Sequence, residues 1–222
     1  MRYLALATDY DGTLATDGVV DQDTIEALRR LAATGRKLIL VTGRQLDDLL
    51  HAFPQATLFH SVVAENGALL YTSTNRETRV LAQPPPPRFV EELQRRGVRP
   101  IWFGRVVVAT VQPNETEVTD VIRELGLDLQ VILNKGSVMV LPAEVDKATG
   151  LRAALDDLAL SAGDVVGIGD AENDQAFLAM CGSGVAVANA LDSVKQRADC
   201  VTRGPAGAGV REVIESLATR DP

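Results

Sequence analysis

The chain has 222 residues, enough for one large domain or for one domain with a smaller companion. Its net charge of -8 and pI near 4.8 argue against nucleic acid or an anionic membrane as partner, since both reward clustered Lys and Arg; a small anionic substrate needs only a local positive pocket. Two cysteines, Cys181 and Cys200, make neither a disulfide framework nor a metal-ligand spacing and read as reduced thiols of a cytoplasmic protein.

The apolar run after Arg2 ends at Asp9, too short for a signal peptide. It reads instead as a buried strand over 3–8. A helix follows over about 21–34, with Asp23 and Glu26 as a capping pair, an apolar stripe of Ile25, Leu28, Leu31 and Ala32, and Gly35 as its stop. "KLILV" (37–41) is a second short strand, and a helix covers about 45–52. "SVVAENGALLY" (61–71) reads as a strand, an Asn-Gly turn and a returning strand. Near-continuous apolar strands alternating with helices imply a parallel sheet covered on both faces.

The pattern breaks at "QPPPPR" (83–88), where four prolines favour a stiff connector. Beyond it come a helix at 89–96, one or two strands in 101–111, a helix at 114–125, and "LQVILN" and "SVMVLP" joined by a turn at "NKGS". Helix-strand-strand twice makes an α+β module of about 60 residues. From Lys147 the alternation resumes, with helices near 148–159, 173–180, 191–197 and 208–218 and strands at 164–169, 184–188 and "CVT". The longest charge-free run, 175–191, holds Gln, Asn, Ser and two Gly and does not read as a membrane span. The expected fold is α/β, a doubly wound parallel core over 1–83 and 143–222 with a small α+β domain inserted at 84–142.

Ligands of open parallel sheets bind beyond the carboxyl ends of the strands. Asp9 and Asp11 follow the first strand, Thr42, Gly43 and Arg44 the second, and Asp170, Asn173 and Asp174 follow "VVGIG"; Lys147 opens the first helix after the module. Each cluster alone has a structural reading: Asp and Thr cap helices, Gly ends strands, Lys is usually solvated. Together they match one task. Converging carboxylates suit a hard cation such as Mg²⁺. A hydroxyl, an ammonium and Gly-rich amides suit phosphoryl oxygens. One carboxylate can attack phosphorus, and a second can protonate the leaving oxygen and later deprotonate water.

"DYDGTL", "VTGR", "DKATGL" and "GDAEND", in this order, resemble the four motifs of the haloacid dehalogenase superfamily of phosphotransferases. The insertion between the second and third resembles a C2B-type cap, and within that class the chain is similar to phosphoglycolate, sugar-phosphate, sucrose-phosphate and mannosylphosphoglycerate phosphatases. The resemblance implies a Mg²⁺-dependent phosphatase of a small phosphorylated metabolite, with an aspartyl-phosphate intermediate; the expected assembly is a monomer or homodimer. It implies Asp9 as nucleophile and metal ligand, and Asp11 as acid/base with its carbonyl on the metal. Thr42, Gly43, Lys147 and Asn173 would hold phosphate, Asp170 and Asp174 would complete the metal site, and Gly12 would let the backbone turn beside the phosphate. Asn66 reads as a turn residue or as one that faces substrate, His51 and His60 as structural or surface residues, and Arg44 as either a partner for a nearby carboxylate or a helix start. Arg99, Arg105 and Lys135 are cap cations that could meet a substrate. Two rivals stand: a phosphomannomutase-like phosphosugar mutase on the same fold, and a phospho-accepting receiver-like domain.

Overall fold

The structure, a computed structural model, describes residues 3–134 and 136–219. Strand β1 (Ala5–Thr8) leads through α1 (Gln22–Ala33) to β2 (Lys37–Val41), and α2 (Leu46–Ala52) leads to β3 (Ser61–Ala64). A one-turn 3-10 segment, Glu65–Gly67, links β3 to β4 (Leu69–Thr72), and β5 (Glu77–Val80) closes that edge. The module holds α3 (Pro87–Arg95), β6 (Trp102–Phe103), β7 (Val108–Val111), α4 (Glu115–Glu124), β8 (Leu129–Asn134) and β9 (Ser137–Pro142). The chain then runs through α5 (Lys147–Leu158), β10 (Val165–Gly169), α6 (Gln175–Met180), β11 (Ser183–Ala186), α7 (Asp192–Lys195), β12 (Cys200–Val201) and α8 (Ala206–Thr219).

The large sheet has the order β12-β11-β10-β1-β2-β3-β4-β5. Its first six strands are parallel; β4 and β5 return antiparallel. Every residue of β1 and β10 is buried, as the near-continuous apolar runs require of strands covered on both faces. The covering helices include α1 packed on α8 and α5 packed on α6. From β1 the chain winds outward through β2 and β3, and from β10 it winds the other way, so the order reverses between β1 and β10. A crevice at the carboxyl ends of these two strands is the place for a ligand.

The module's sheet, β6-β7-β9-β8, is antiparallel. Its alternation points two ways. Val108, Val138 and Val140 join Phe89, Leu93, Val118 and Val121 in a cluster of their own. Met139 and Leu141, the intervening residues of β9, join the core of the large domain. One face of the sheet is thus turned to its helices and the other to the core.

Three expectations are corrected. The cap of α1 is Asp21, whose extended backbone lets its carboxylate accept the Thr24 N–H at 2.9 Å, so Asp23 lies inside the helix. The turn at Asn66 is a three-residue 3-10 segment with Glu65 and Asn66 at φ 50° and 53°, not a tight two-residue hairpin. The start of the helix expected over 173–180 is a separate 3-10 turn, Glu172–Asp174. Strand β5 was not foreseen: "ETRV" is mostly exposed at the sheet edge and carries no apolar period.

Helix α5 is fixed by two glycines. A Cβ on Gly67 would lie 1.9 Å from the Asp146 carbonyl oxygen, and one on Gly150 would lie 2.4 Å from Val63 Cγ1 and 2.6 Å from Gly67 Cα. Alanine at 150 would gain about 1 kcal/mol of helix propensity against about 1–3 kcal/mol of overpacking. Gly150→Ala is expected to lower the urea midpoint; a raised midpoint would show that α5 does not seat on the 65–67 turn this tightly.

Candidate active site

Asp9 sits one residue past β1 and is buried, its N–H bonded to the Ile168 carbonyl at 2.9 Å. Lys147 opens α5 behind a capping box formed by Asp146 and Thr149. Its buried Nζ donates to Asp9 Oδ1 and to Asp174 Oδ1, each at 2.5 Å. Asp174 is fully enclosed, and its Oδ2 accepts the N–H groups of Asp170 and Ala171 at 2.8 and 2.9 Å. Asp170 Oδ1 accepts the Thr13 hydroxyl at 2.9 Å. A Cβ on Gly169 would lie 2.6 Å from Asp174 Cβ, so only glycine lets that carboxylate close on β10.

Oxygens of Asp9, Asp170 and Asp174 lie within 4.8 Å of one another. Three ionised carboxylates against one ammonium would leave two excess negative charges, and the Asp9 carboxyl is shifted in the direction that relieves them. Burial pushes the Asp9 carboxyl up to about 8, Asp174 and Asp170 add to the rise, and Lys147 opposes it. Burial acts to lower the Lys147 ammonium, but Asp174 and Asp9 outweigh it and hold it above its usual value. The cation is secure while the carboxylates are crowded. An all-oxygen donor set carrying this excess suits a hard divalent cation such as Mg²⁺.

These residues face a cavity of about 200 Å³ lined by Asp9, Asp11, Gly43, Arg44, Lys147, Asp170, Ala171 and Asn173 from the core and by Asn134, Ser137 and Met139 from the module. Arg44 binds Asp11 through two parallel bonds, Nε to Oδ2 at 2.7 Å and Nη2 to Oδ1 at 2.6 Å, which decides between its two sequence readings. Asn173 donates to Asn66 Oδ1 at 2.9 Å, and its own Oδ1 is buried without a partner among the described residues. Thr42 is buried and does not line the cavity; its hydroxyl accepts the Arg44 N–H at 3.1 Å. Gly43 lets the backbone pass Asn66, whose amide would lie 3.1 Å from an added Cβ.

The family described as haloacid dehalogenase-like hydrolase matches residues 6–104 and 107–214. The chain belongs to the haloacid dehalogenase-like hydrolases. It is 30% identical over 217 residues to a phosphoglycolate phosphatase of Methanothermobacter thermautotrophicus, covering 95% of this chain and 96% of the relative. It is 31% identical over 229 residues to a phosphoglycolate phosphatase of Halorubrum lacusprofundi, covering 97% of each. Thermoplasma acidophilum 0175 superposes with a TM-score of 0.84 at 20% identity, covering 98% of this chain and 99% of that one. A subclass IIB sugar phosphatase gives 0.79 at 20%, covering 96% and 98%; these two likenesses concern the fold. The protein is a phosphatase of the haloacid dehalogenase type, and the receiver-like reading is set aside.

Of the expected site residues, Asp9, Asp170, Asp174 and Lys147 form one cluster, while Asp11, Gly43 and Asn173 line the cavity around it. Gly12 takes φ 90° at the turn after Asp11. Arg99 and Arg105 are not brought there. Arg99 lines a separate hollow with Gln94 and Phe103, and the Arg105 guanidinium lies 4.0 Å from Asp47. Lys135 lies outside the described residues. His60 accepts the Leu38 N–H at 3.3 Å, a structural role, and His51 is exposed on α2.

Sequence reasoning missed Thr13, Glu65 and the module's Asn134, Ser137 and Met139. The buried Glu65 carboxylate accepts the N–H groups of Arg105, Val106 and Val107 at 2.8–2.9 Å and ties the module to the turn after β3. Asn66 is a turn residue, as expected, but its buried side chain also joins Asn173 to Met139 Sδ, 3.2 Å away. Replacing Lys147 would leave Asp9 and Asp174 buried and unpaired, a loss of about 3–5 kcal/mol. Lys147→Met should show it as a large drop in denaturation midpoint; an unchanged midpoint would mean that the carboxylates are not held by this ammonium.

Proposed function

We propose that the protein is a Mg²⁺-dependent phosphatase of a small phosphorylated metabolite, phosphoglycolate or a sugar phosphate, working through an aspartyl-phosphate at Asp9. The observation that carries the proposal is the buried Asp9 carboxylate at the end of β1, held by Lys147 at 2.5 Å and open to a small cavity. Asp9, Asp170 and Asp174, with the Asp11 carbonyl, are the residues that would hold Mg²⁺, which when bound adds positive charge beside the phosphoryl oxygens and offsets the crowded carboxylates.

In the first step an Asp9 carboxylate oxygen forms a bond to phosphorus while the bond to the ester oxygen breaks. Asp11 gives its proton to that departing oxygen. In the second step Asp11 takes a proton from water, the water oxygen bonds to phosphorus, and the bond to Asp9 breaks, restoring its carboxylate and releasing phosphate. Lys147 keeps Asp9 oriented throughout. Gly43 and Asn173 flank the transferring group from the β2 and β10 ends, and the buried Asn173 oxygen can accept a hydrogen bond from a substrate hydroxyl there.

The module, over residues 84–142, acts in this proposal as a cap. Asn134, Ser137 and Met139 close the cavity from above, and a volume near 200 Å³ suits a phosphomonoester of a few carbons. Phosphoglycolate is favoured by the relatives named for it, which match almost the whole chain. Nucleic acid and membrane have no place in this reading. No helix among the described residues is long and apolar enough to cross a membrane.

The test is phosphate release from phosphoglycolate and sugar phosphates, with sugar-phosphate isomers followed in parallel. Free phosphate should appear with Mg²⁺ and fall to background in EDTA. Asp9→Asn should lose about 10³-fold or more in kcat. Isomer interconversion without phosphate release would favour the mutase, and near-full activity of pure Asp9→Asn would overturn the assignment.

A further inference from the structure

We infer that Arg44 is a positioning residue for Asp11, holding its carboxylate ready to take the proton from water when the aspartyl-phosphate breaks down; this rests on the acid/base reading of Asp11 above. Asp9 and Asp11 stand two residues apart and line the same cavity. Yet the three carboxylates that gather within 4.8 Å are Asp9, Asp170 and Asp174. The Asp11 carboxylate is instead held in the two-bond fork of Arg44, at 2.7 and 2.6 Å. The two carboxylates are thus distinguished by their cations: Lys147 orients Asp9 for phosphorus, and Arg44 holds Asp11 apart from the buried cluster.

Arg44 is itself fixed. Its guanidinium carbon lies 4.9 Å from the ring centroid of the fully buried Tyr10. The Tyr10 hydroxyl donates to the Gly18 carbonyl at 2.9 Å. The Arg44 N–H donates to Thr42 Oγ1, and the Arg44 carbonyl accepts the Glu65 N–H at 3.0 Å. The side chains of the pair are 30% and 32% exposed, so solvent screening leaves it little to contribute to stability. Its geometry is what matters. A planar fork matches an ionised carboxylate and fixes its plane. Asp11 is ionised between the two transfers, after giving its proton to the leaving oxygen and before taking one from water.

The experiment is stopped-flow hydrolysis of p-nitrophenyl phosphate with Mg²⁺. Its leaving group needs no proton, so the first step is spared and the second is exposed. Arg44→Met is expected to release a burst of p-nitrophenol equal to the enzyme, with a burst rate within a few-fold of wild type. The steady-state rate should then fall about 10²-fold, the lower end of what a positioned base supplies. Arg44→Lys, which keeps the charge without the fork, should fall between. Asp11→Asn should show the same burst. If Asp11→Asn shows it and Arg44→Met does not, or if burst and steady state fall together in Arg44→Met, the positioning role is overturned. If Asp11→Asn turns over like wild type, the acid/base reading of Asp11 fails, and this inference with it.

Discussion

The ammonium of Lys147 between Asp9 and Asp174 is the interaction on which the site depends. A parallel sheet whose winding reverses between β1 and β10 brings the ends of those strands together, and with them Asp9, Asp170 and Asp174. Like charges at this distance in a buried place repel strongly. One ammonium, delivered from the first turn of α5, lets the cluster exist and leaves it short of positive charge. Its placement depends on close backbone packing: Gly67 and Gly150 allow α5 to seat against β3 and the 65–67 turn.

That same turn joins the module to the core. Glu65 and Asn66 adopt left-handed backbone, which costs a non-glycine residue conformational energy. The outcome is a carboxylate that receives three module N–H groups and an amide that touches both Asn173 and Met139. Three successive residues, 65 to 67, thereby link the module, the cavity wall and the helix that carries Lys147.

Much of this was legible in the sequence, for a physical reason. Buried parallel strands are short, apolar and end abruptly, so the polar residues at their ends stand out; Asp9, Asp11 and Asp170 were visible in this way, and Lys147 as the residue that opens the first helix after the module. The module's two helix-strand-strand units were visible because the period changes after the prolines at 84–87. What stayed hidden depends on which surfaces meet. Glu65 bonds to backbone about 40 residues away, and no residue type announces a backbone donor. The turn at "NKGS" could be seen, but not that its first and last residues, Asn134 and Ser137, line the same cavity as Asp9. Cationic side chains suggested Arg99 and Arg105, while the described module residues that line the cavity are uncharged. Arg44 stayed ambiguous because only distance separates a helix start from a fork on Asp11.

The central claim is that a side chain of this protein, and not water, first attacks phosphorus. A phosphorothioate monoester made chiral with oxygen isotopes, hydrolysed by the Mg²⁺-loaded enzyme in isotopically distinct water, tests it directly through the configuration of the thiophosphate released. Two successive in-line displacements, first by Asp9 and then by water, predict overall retention; inversion, the mark of a single displacement by water, would contradict the account.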